Sequence, residues 1–431
     1  MMKSNKVFPF LIGILTFFSV DQWSKFVIGN TVTTWLLYFC IYLCVFFIYK
    51  NQYVKCISVE NRKDTFLKIY LLWILICIIR GIFVAENYWE YKQLVEGSVA
   101  LLLPTLIYTF TLPNVVRTVL HFWLMYILPF FVIYAGFFIV PDSYHFFLGP
   151  VLLLGCFLPI IKGKWKLMIF LLLIIMLVGD IGARSQIIKA AACLMISVAY
   201  VLSKFISKKL FGLAFALCFI SPIVIMALAF TGTFNIFNMD DYVGSKYQTK
   251  SANGSAVTDD TRSFIYVEVI SSAIQHNYVI QGRTPARGND TEAFYNIADN
   301  LQSTHKVKNI KHERPANELV HTNVFTWTGL IGCMLYSILY FISSYRAVYR
   351  SKNIYIKLLG LFVAFRWAYG WVEDFNRLDI MNVSLWMMIA MCYSNIFRDM
   401  SDMEFKTWVR SVFKKKKVIK RLCCNPSDLA K

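Results

Sequence analysis

The sequence predicts an all-α polytopic membrane protein with about 12 transmembrane helices and one large, partly helical loop outside the membrane. Three observations predict it. Of 431 residues, 58% are hydrophobic and only 16% are charged, which leaves too little polar surface to solvate a soluble globule of this size. The apolar residues come in long unbroken runs without the period-2 alternation of barrel strands. In hydrocarbon the backbone must satisfy its own hydrogen bonds, so runs of this kind are helices. The basic residues, finally, collect on one side of a simple alternation of spans.

A span needs roughly 20 mostly apolar residues. The runs are Val7–Val20, Thr31–Tyr49, Thr65–Val84, Val95–Thr111, Val119–Val140, Phe147–Ile161, Leu167–Gly179, Ile187–Leu202, Leu210–Phe230, Asn323–Tyr345, Tyr355–Trp371 and Ile380–Phe397, of which the first, sixth and seventh are short. Residues 1–230 then carry nine spans, 231–322 form the large loop, 323–397 carry three more, and 398–431 are a basic tail. An even count puts both termini on one side. That side carries 26 Lys or Arg, against four (Lys25, Lys92, Arg184, Arg377) in the short loops opposite. The bias makes the termini cytoplasmic and the loop external.

A net charge of +19 would admit a nucleic-acid partner, but Thr231–Thr322 holds nine basic and ten acidic residues, so the excess lies on the cytoplasmic edges. Topology explains the charge, and no nucleic acid is implied. In the tail, Phe405, Trp408, Val409, Val412 and Phe413 share a helical face ahead of Lys414 to Lys417, a pattern expected to lie on the anionic inner leaflet. The first apolar run resembles a secretory signal without a small-x-small cleavage site, and is read as a retained span. None of the eleven cysteines lies in Thr231–Thr322, so neither a disulfide framework nor a cysteine metal site is expected there. Cys423 and Cys424 receive no role.

A 92-residue insert between short-looped spans is unusual unless it is functional. Asp259-Asp260-Thr261 forms a plausible N-cap, and Phe264, Val267, Ile270, Ala273 and Ile274 then recur at helical spacing until Gly282. This predicts an amphipathic helix lying on the membrane domain. A second short helix is expected over Glu292–Leu301, with mobile loops over Gly244–Ser255 and Gln302–Arg314. Pro315 is expected to open the tenth helix, placing Glu318 and His321 one turn apart on one face.

The sequence has no P-loop, GxGxxG, HExxH or DxD pair, which argues against nucleotide-driven chemistry. An enzyme facing outward needs a substrate that is already activated, such as a lipid-linked diphosphate sugar. That chemistry asks for cations to hold the diphosphate and a base to deprotonate the acceptor hydroxyl. Arginine suits the first task through its planar, permanently charged fork, and histidine suits the second.

Arg184 sits in a very short external turn, where it is either a phosphate ligand or the salt-bridge partner of Asp180. Arg262 opens the loop helix, as a ligand or as an ordinary first-turn residue. Arg283 and Arg287 follow Gly282. Arg80 lies in the outer part of the third span and Arg366 within the eleventh, where they contact lipid phosphates, snorkel, or pair with Glu96, Glu373 or Asp374. His276, His305, His312 and His321 lie in the loop without a recognised ligand spacing, so no metal is expected. Of these His321 is held at the membrane edge, with Glu318 as a carboxylate that would orient the imidazole.

Spans eight to ten resemble the O-antigen ligase and O-antigen polymerase superfamily. His321-Thr322-Asn323-Val324-Phe325, running on to Gly329-Leu330-Ile331-Gly332, is similar to the family's His-Asn-x-aromatic run, with Thr322 in place of the usual Asn. Asp260-Thr261-Arg262-Ser263 and Gly182-Ala183-Arg184-Ser185 resemble its two arginine motifs. The resemblance covers about half the chain. It implies a metal-independent, cofactor-free glycosyltransferase of the bacterial inner membrane that takes an oligosaccharide from undecaprenyl diphosphate on the periplasmic face, acting among other polysaccharide-assembly proteins. His321 would be the base, with Arg184 and Arg262 on the diphosphate. Polymerase is favoured over ligase. A transporter or flippase of lipid-linked glycans, and a scaffold or sensor, are the alternatives of other classes.

Overall fold

The computed structural model describes residues 4–21, 28–54, 64–137, 144–179, 184–204, 207–231, 233–234, 262–292 and 312–414. The fold is all-α apart from two short strands. Its principal helices are α1 (Ser4–Asp21), α2 (Thr31–Ile48), α3 (Thr65–Val84), α4 (Tyr88–Leu101), α5 (Pro113–Phe122), α6 (Phe130–Phe137), α7 (Gly149–Gly155), α8 (Lys164–Val178), α9 (Arg184–Val201), α10 (Lys208–Phe230), α11 (Ser263–Gln275), α12 (Val320–Arg350), α13 (Ile354–Tyr369), α14 (Ile380–Tyr393) and α15 (Asp402–Val412). Among the described residues, six helices are long and apolar enough to cross a membrane: Thr31–Tyr53, Thr65–Val84, Tyr88–Phe110, Arg184–Val201, Lys209–Ala229 and Val320–Arg350.

The third predicted run agrees with α3 at both ends. The fifth is wrong at its start, because Pro113 opens α5 six residues earlier, a position where the missing N–H costs nothing. Polar caps mark other starts. Asn30 and Thr33 form a capping box on α2, Asn353 accepts from Ile356 N, and Asp379 accepts from Asn382 N. Every residue of α14 is buried, which an apolar helix without a polar face requires. This last predicted run is the centre of the bundle, packed by α7, α12 and α13.

Two ends follow from the hydrogen bonds. At one end Ser19 accepts from Ile380 N (2.8 Å), Arg80 reaches Gln281 and Gly282, and Val320 N donates to the Glu373 carbonyl (3.0 Å). At the other, Ser394 bonds the Thr111 carbonyl and Lys352 N bonds Arg398. The residues assigned by sequence to the external side thus meet at one end.

Two expectations need correction. The apolar face of α15 does not await lipid: Phe405, Trp408, Val409 and Val412 are buried, Trp408 Nε1 donates to the Pro113 carbonyl (3.2 Å), and the Phe405 ring meets Phe157 at 5.1 Å. The bundle itself covers that stripe. In α11 the buried face is Ile265, Tyr266, Val269, Ser272 and Ala273, while Phe264, Val267, Ile270 and Ile274 are exposed. The helix is apolar on two sides, so sequence periodicity could not choose between them. The expected cap at Asp259-Asp260-Thr261, the loops over 244–255 and 302–311, and the second helix beyond Glu292 lie outside the described residues.

Candidate functional site

The site is organised by a break in α12. Gly329 (φ 69°, ψ −172°) interrupts the helix, and the segment 279–284 crosses the gap. Leu330 N donates to Val279 O (2.8 Å) and Ile331 N to Ile280 O (3.3 Å), while Arg283 N and Thr284 N donate to the carbonyls of Thr326 (2.7 Å) and Trp327 (3.1 Å). Trp73 Nε1 donates to the Thr328 carbonyl (2.9 Å). Backbone groups freed by the break are thereby satisfied, as burial demands. A Cβ on Gly282 (φ 72°) would collide with the backbone of Thr328 and Gly329, which explains both glycines.

This crossing decides the roles of several predicted ligands. Arg80 donates to the carbonyls of Gln281 (2.9 Å) and Gly282 (3.3 Å), so it clamps the crossing segment. Arg283 is bound to the Gly288 carbonyl (3.0 Å), Asp290 (2.9 Å) and Glu313 (3.1 Å), and Arg287 also grips Glu313. These arginines are neutralised. They pin the loop where β1 (Asn289–Asp290) pairs antiparallel with β2 (Glu313–Arg314), Asn289 opposite Arg314.

Partial burial works against the charged form of Asp290, but the hydrogen bond and charge of Arg283, joined by His276, outweigh it and hold the carboxyl below its ordinary 3.8. A depressed carboxyl stabilises the fold above the unfolded value and loses that contribution as pH falls through the folded one. Amide exchange over residues 279–291, corrected for intrinsic rate, is therefore expected to stay flat with respect to Asp290 down to pH 3.8 and to rise below it. Asp290→Asn should remove that acid dependence.

His321 is 3% exposed at the start of α12, with its ring 4.8 Å from Trp371 and 5.5 Å from Trp367. Nε2 lies 3.2 Å from the Trp367 carbonyl, and Nδ1 makes no hydrogen bond. A carbonyl oxygen only accepts, so Nε2 carries the proton of the neutral ring and Nδ1 keeps its lone pair. Glu318 does not orient the ring. Its side chain is 59% exposed and pairs with Arg314 (3.4 Å), because the residues before Val320 are not helical and the expected one-turn spacing is absent. The Trp367 carbonyl takes the place of that carboxylate.

Around His321 the polar groups are interlocked. Asn323 Nδ2 donates to Asp374 (3.2 Å) and Asn376 Nδ2 to the Val320 carbonyl (3.0 Å), so the connection between α13 and α14 is tied to the start of α12. Glu373 in that connection binds Lys189 of α9 (2.5 Å) and Arg366 of α13 (3.4 Å); both cations are 2% exposed. Arg366 also lies over the Phe375 ring. Of the sequence alternatives, the Glu373 pairing of Arg366 is the one found.

Two predicted arginines open helices that are tied to this end of the bundle: Arg184 stands five residues before Lys189, the partner of Glu373, and Arg262 four residues before Tyr266, whose hydroxyl bonds the Trp371 carbonyl beside the His321 ring. Arg184 is exposed at the first position of α9; its alternative partner Asp180 lies outside the described residues. Arg262 stands at the start of α11, held over the bundle where Tyr266 Oη donates to the Trp371 carbonyl (2.5 Å). Sequence reasoning missed Lys189, although a lysine inside the predicted run Ile187–Leu202 is an ionisable group at membrane depth and could have flagged it.

No group of three or more His, Cys, Asp or Glu side chains placed to hold a metal occurs among the described residues. Comparison of the chain with family models, characterised proteins and solved structures finds no match.

Proposed function

We propose that the protein transfers oligosaccharide repeat units from undecaprenyl diphosphate to a growing surface polysaccharide at the periplasmic face of a bacterial inner membrane. The observation that carries this reading is a buried imidazole, His321 with a free Nδ1 lone pair, at the end of the bundle where Arg184 opens α9 and Arg262 opens α11. Cations of this kind hold a diphosphate, and a neutral imidazole accepts a proton. In the reaction, the acceptor hydroxyl oxygen attacks the anomeric carbon as the bond to the diphosphate breaks. His321 Nδ1 takes the hydroxyl proton, and the leaving diphosphate keeps its charge against the arginines. A single attack inverts the sugar carbon.

Purified protein in nanodiscs, given a lipid-linked oligosaccharide and a glycan acceptor, should release the lipid diphosphate and lengthen the glycan. A transporter or flippase would move the donor intact, and a scaffold would do neither. The acceptor separates polymerase from ligase: loss of a polymerase leaves single repeat units on the surface lipid, whereas loss of a ligase strips both single and polymeric units. We favour polymerase, and the second phenotype would replace it by the ligase.

The twelve-span topology belongs to the same proposal, with both termini cytoplasmic and 231–322 periplasmic. Cysteines placed at Ser271 and Met403, both exposed, test it with a membrane-impermeant thiol reagent. Labelling of intact cells at position 271 alone is expected; labelling at 403 alone would invert the topology and remove the mechanism.

Arg184→Lys is expected to impair transfer although the charge is kept, because a point ammonium cannot reproduce a bidentate grip on phosphate. The loss should appear in donor affinity. Full activity would leave Arg184 no role beyond a pairing with Asp180.

A further inference from the structure

Helix α11 buries one lengthwise face and leaves an apolar one exposed. Ile265, Tyr266 and Val269 are buried with Met226 and Leu319, and Trp371 and Phe325 pack against the cluster. Ser271 and Gln275 are exposed on a second side, which Phe264 shares at its start, while Glu268 accepts from Glu292 N (3.0 Å). On the remaining face Val267, Ile270 and Ile274 recur at i, i+3 and i+7, and Val267 and Ile274 are 58% and 64% exposed. A helix wetted all round its free surface would not expose a three-residue apolar stripe along its length.

What lies next to the stripe identifies its environment. Ile280, six residues after Ile274, is 58% exposed, and its carbonyl is bound by Ile331 N. Ile331 belongs to an exposed apolar surface with Leu330 and Met334 on α12, one of the helices long and apolar enough to cross a membrane. The apolar stripe of α11 therefore leads along the chain onto a surface of the kind that faces acyl chains.

We propose that α11 is an interfacial helix whose Val267, Ile270 and Ile274 insert among the acyl chains of bilayer phospholipids, with Ser271 and Gln275 turned to water. The helix then lies in the outer interface, and Arg262 at its start is held at the depth of lipid phosphates. The inference rests on the membrane reading and not on the transfer reaction, so its test reads lipid contact rather than activity.

The test places photoreactive benzoylphenylalanine at Val267, Ile274, Ser271 or Gln275 of the full chain, reconstituted in nanodiscs of phosphatidylethanolamine and phosphatidylglycerol. Monodisperse elution screens each variant for folding. After irradiation, phospholipid adducts are expected by mass spectrometry at 267 and 274 and are expected to be lost at 271 and 275. Cross-links from 267 and 274 to residues 235–261 or 293–311 would show that the chain's own loop covers the stripe. A cross-linked dimer would assign it to a second copy. Either result, or equal lipid adducts at all four positions, overturns the proposal.

Discussion

His321→Ala is expected to lower turnover of a lipid-linked donor by about 10²–10⁴-fold, the usual contribution of a general base, while donor affinity changes little. The imidazole is proposed to act only on the acceptor proton, whereas the diphosphate is assigned to arginines on other elements. Loss should therefore fall on kcat in multiple-turnover assays and on the chemical step in single-turnover assays. Donor binding, measured separately by titration, should survive. The geometry adds a contrast that local sequence spacing would not give. Glu318 is paired with Arg314 (3.4 Å) and not with the imidazole, so Glu318→Ala should leave turnover near normal. If the alanine at 321 turned over normally, or lost donor binding instead, the base would have to be another group. If Glu318→Ala matched it in severity, the carboxylate would regain the orienting role that the structure gives to the Trp367 carbonyl.

The contrast between these two residues shows what a sequence can carry. The apolar runs place helices because hydrocarbon length and backbone satisfaction are local requirements, and Thr65–Val84 is found with both ends as predicted. Arg184 and Arg262 could be singled out because each stands at a helix start in a recognisable local pattern. Pairings made across the bundle have no such signature. Lys189 and Glu373 are 184 residues apart, and nothing in the spacing of either names the other. Arg80 and Arg283 remained weaker candidates for the same reason. Only the crossing of 279–284 through the break at Gly329 shows that one clamps carbonyls and the other is spent on Asp290 and Glu313. Periodicity also fails where a helix is apolar on two sides, as α11 is, because burial then depends on which face the neighbouring elements fit.

Glu373→Ala is expected to be the most destabilising single change at the site, by about 3–5 kcal/mol, the cost of leaving buried charge without its partner. Glu373 sits between Lys189 and Arg366, each 2% exposed, and its own side chain is 13% exposed, so water cannot easily replace the missing carboxylate. Lys189→Met should cost less, since Glu373 keeps Arg366 and the methionine fills a similar volume without a charge. The two changes should not add. Once Glu373 is alanine, Lys189→Met removes a cation that has lost its counter-charge, and the double variant should recover part of the single variant's loss. Thermal unfolding of the full chain in nanodiscs gives all four corners of the cycle. The carboxylate also lies in the connection from α13 to α14, whose backbone is bonded to Val320 beside His321. Loosening it should move the arginine of α9 relative to the imidazole of α12 and raise the donor KM as well. An unfolding temperature as high as that of Glu318→Ala would mean that solvent already screens the Lys189–Glu373–Arg366 cluster. The buried ion cluster would then not hold the two halves of the site together.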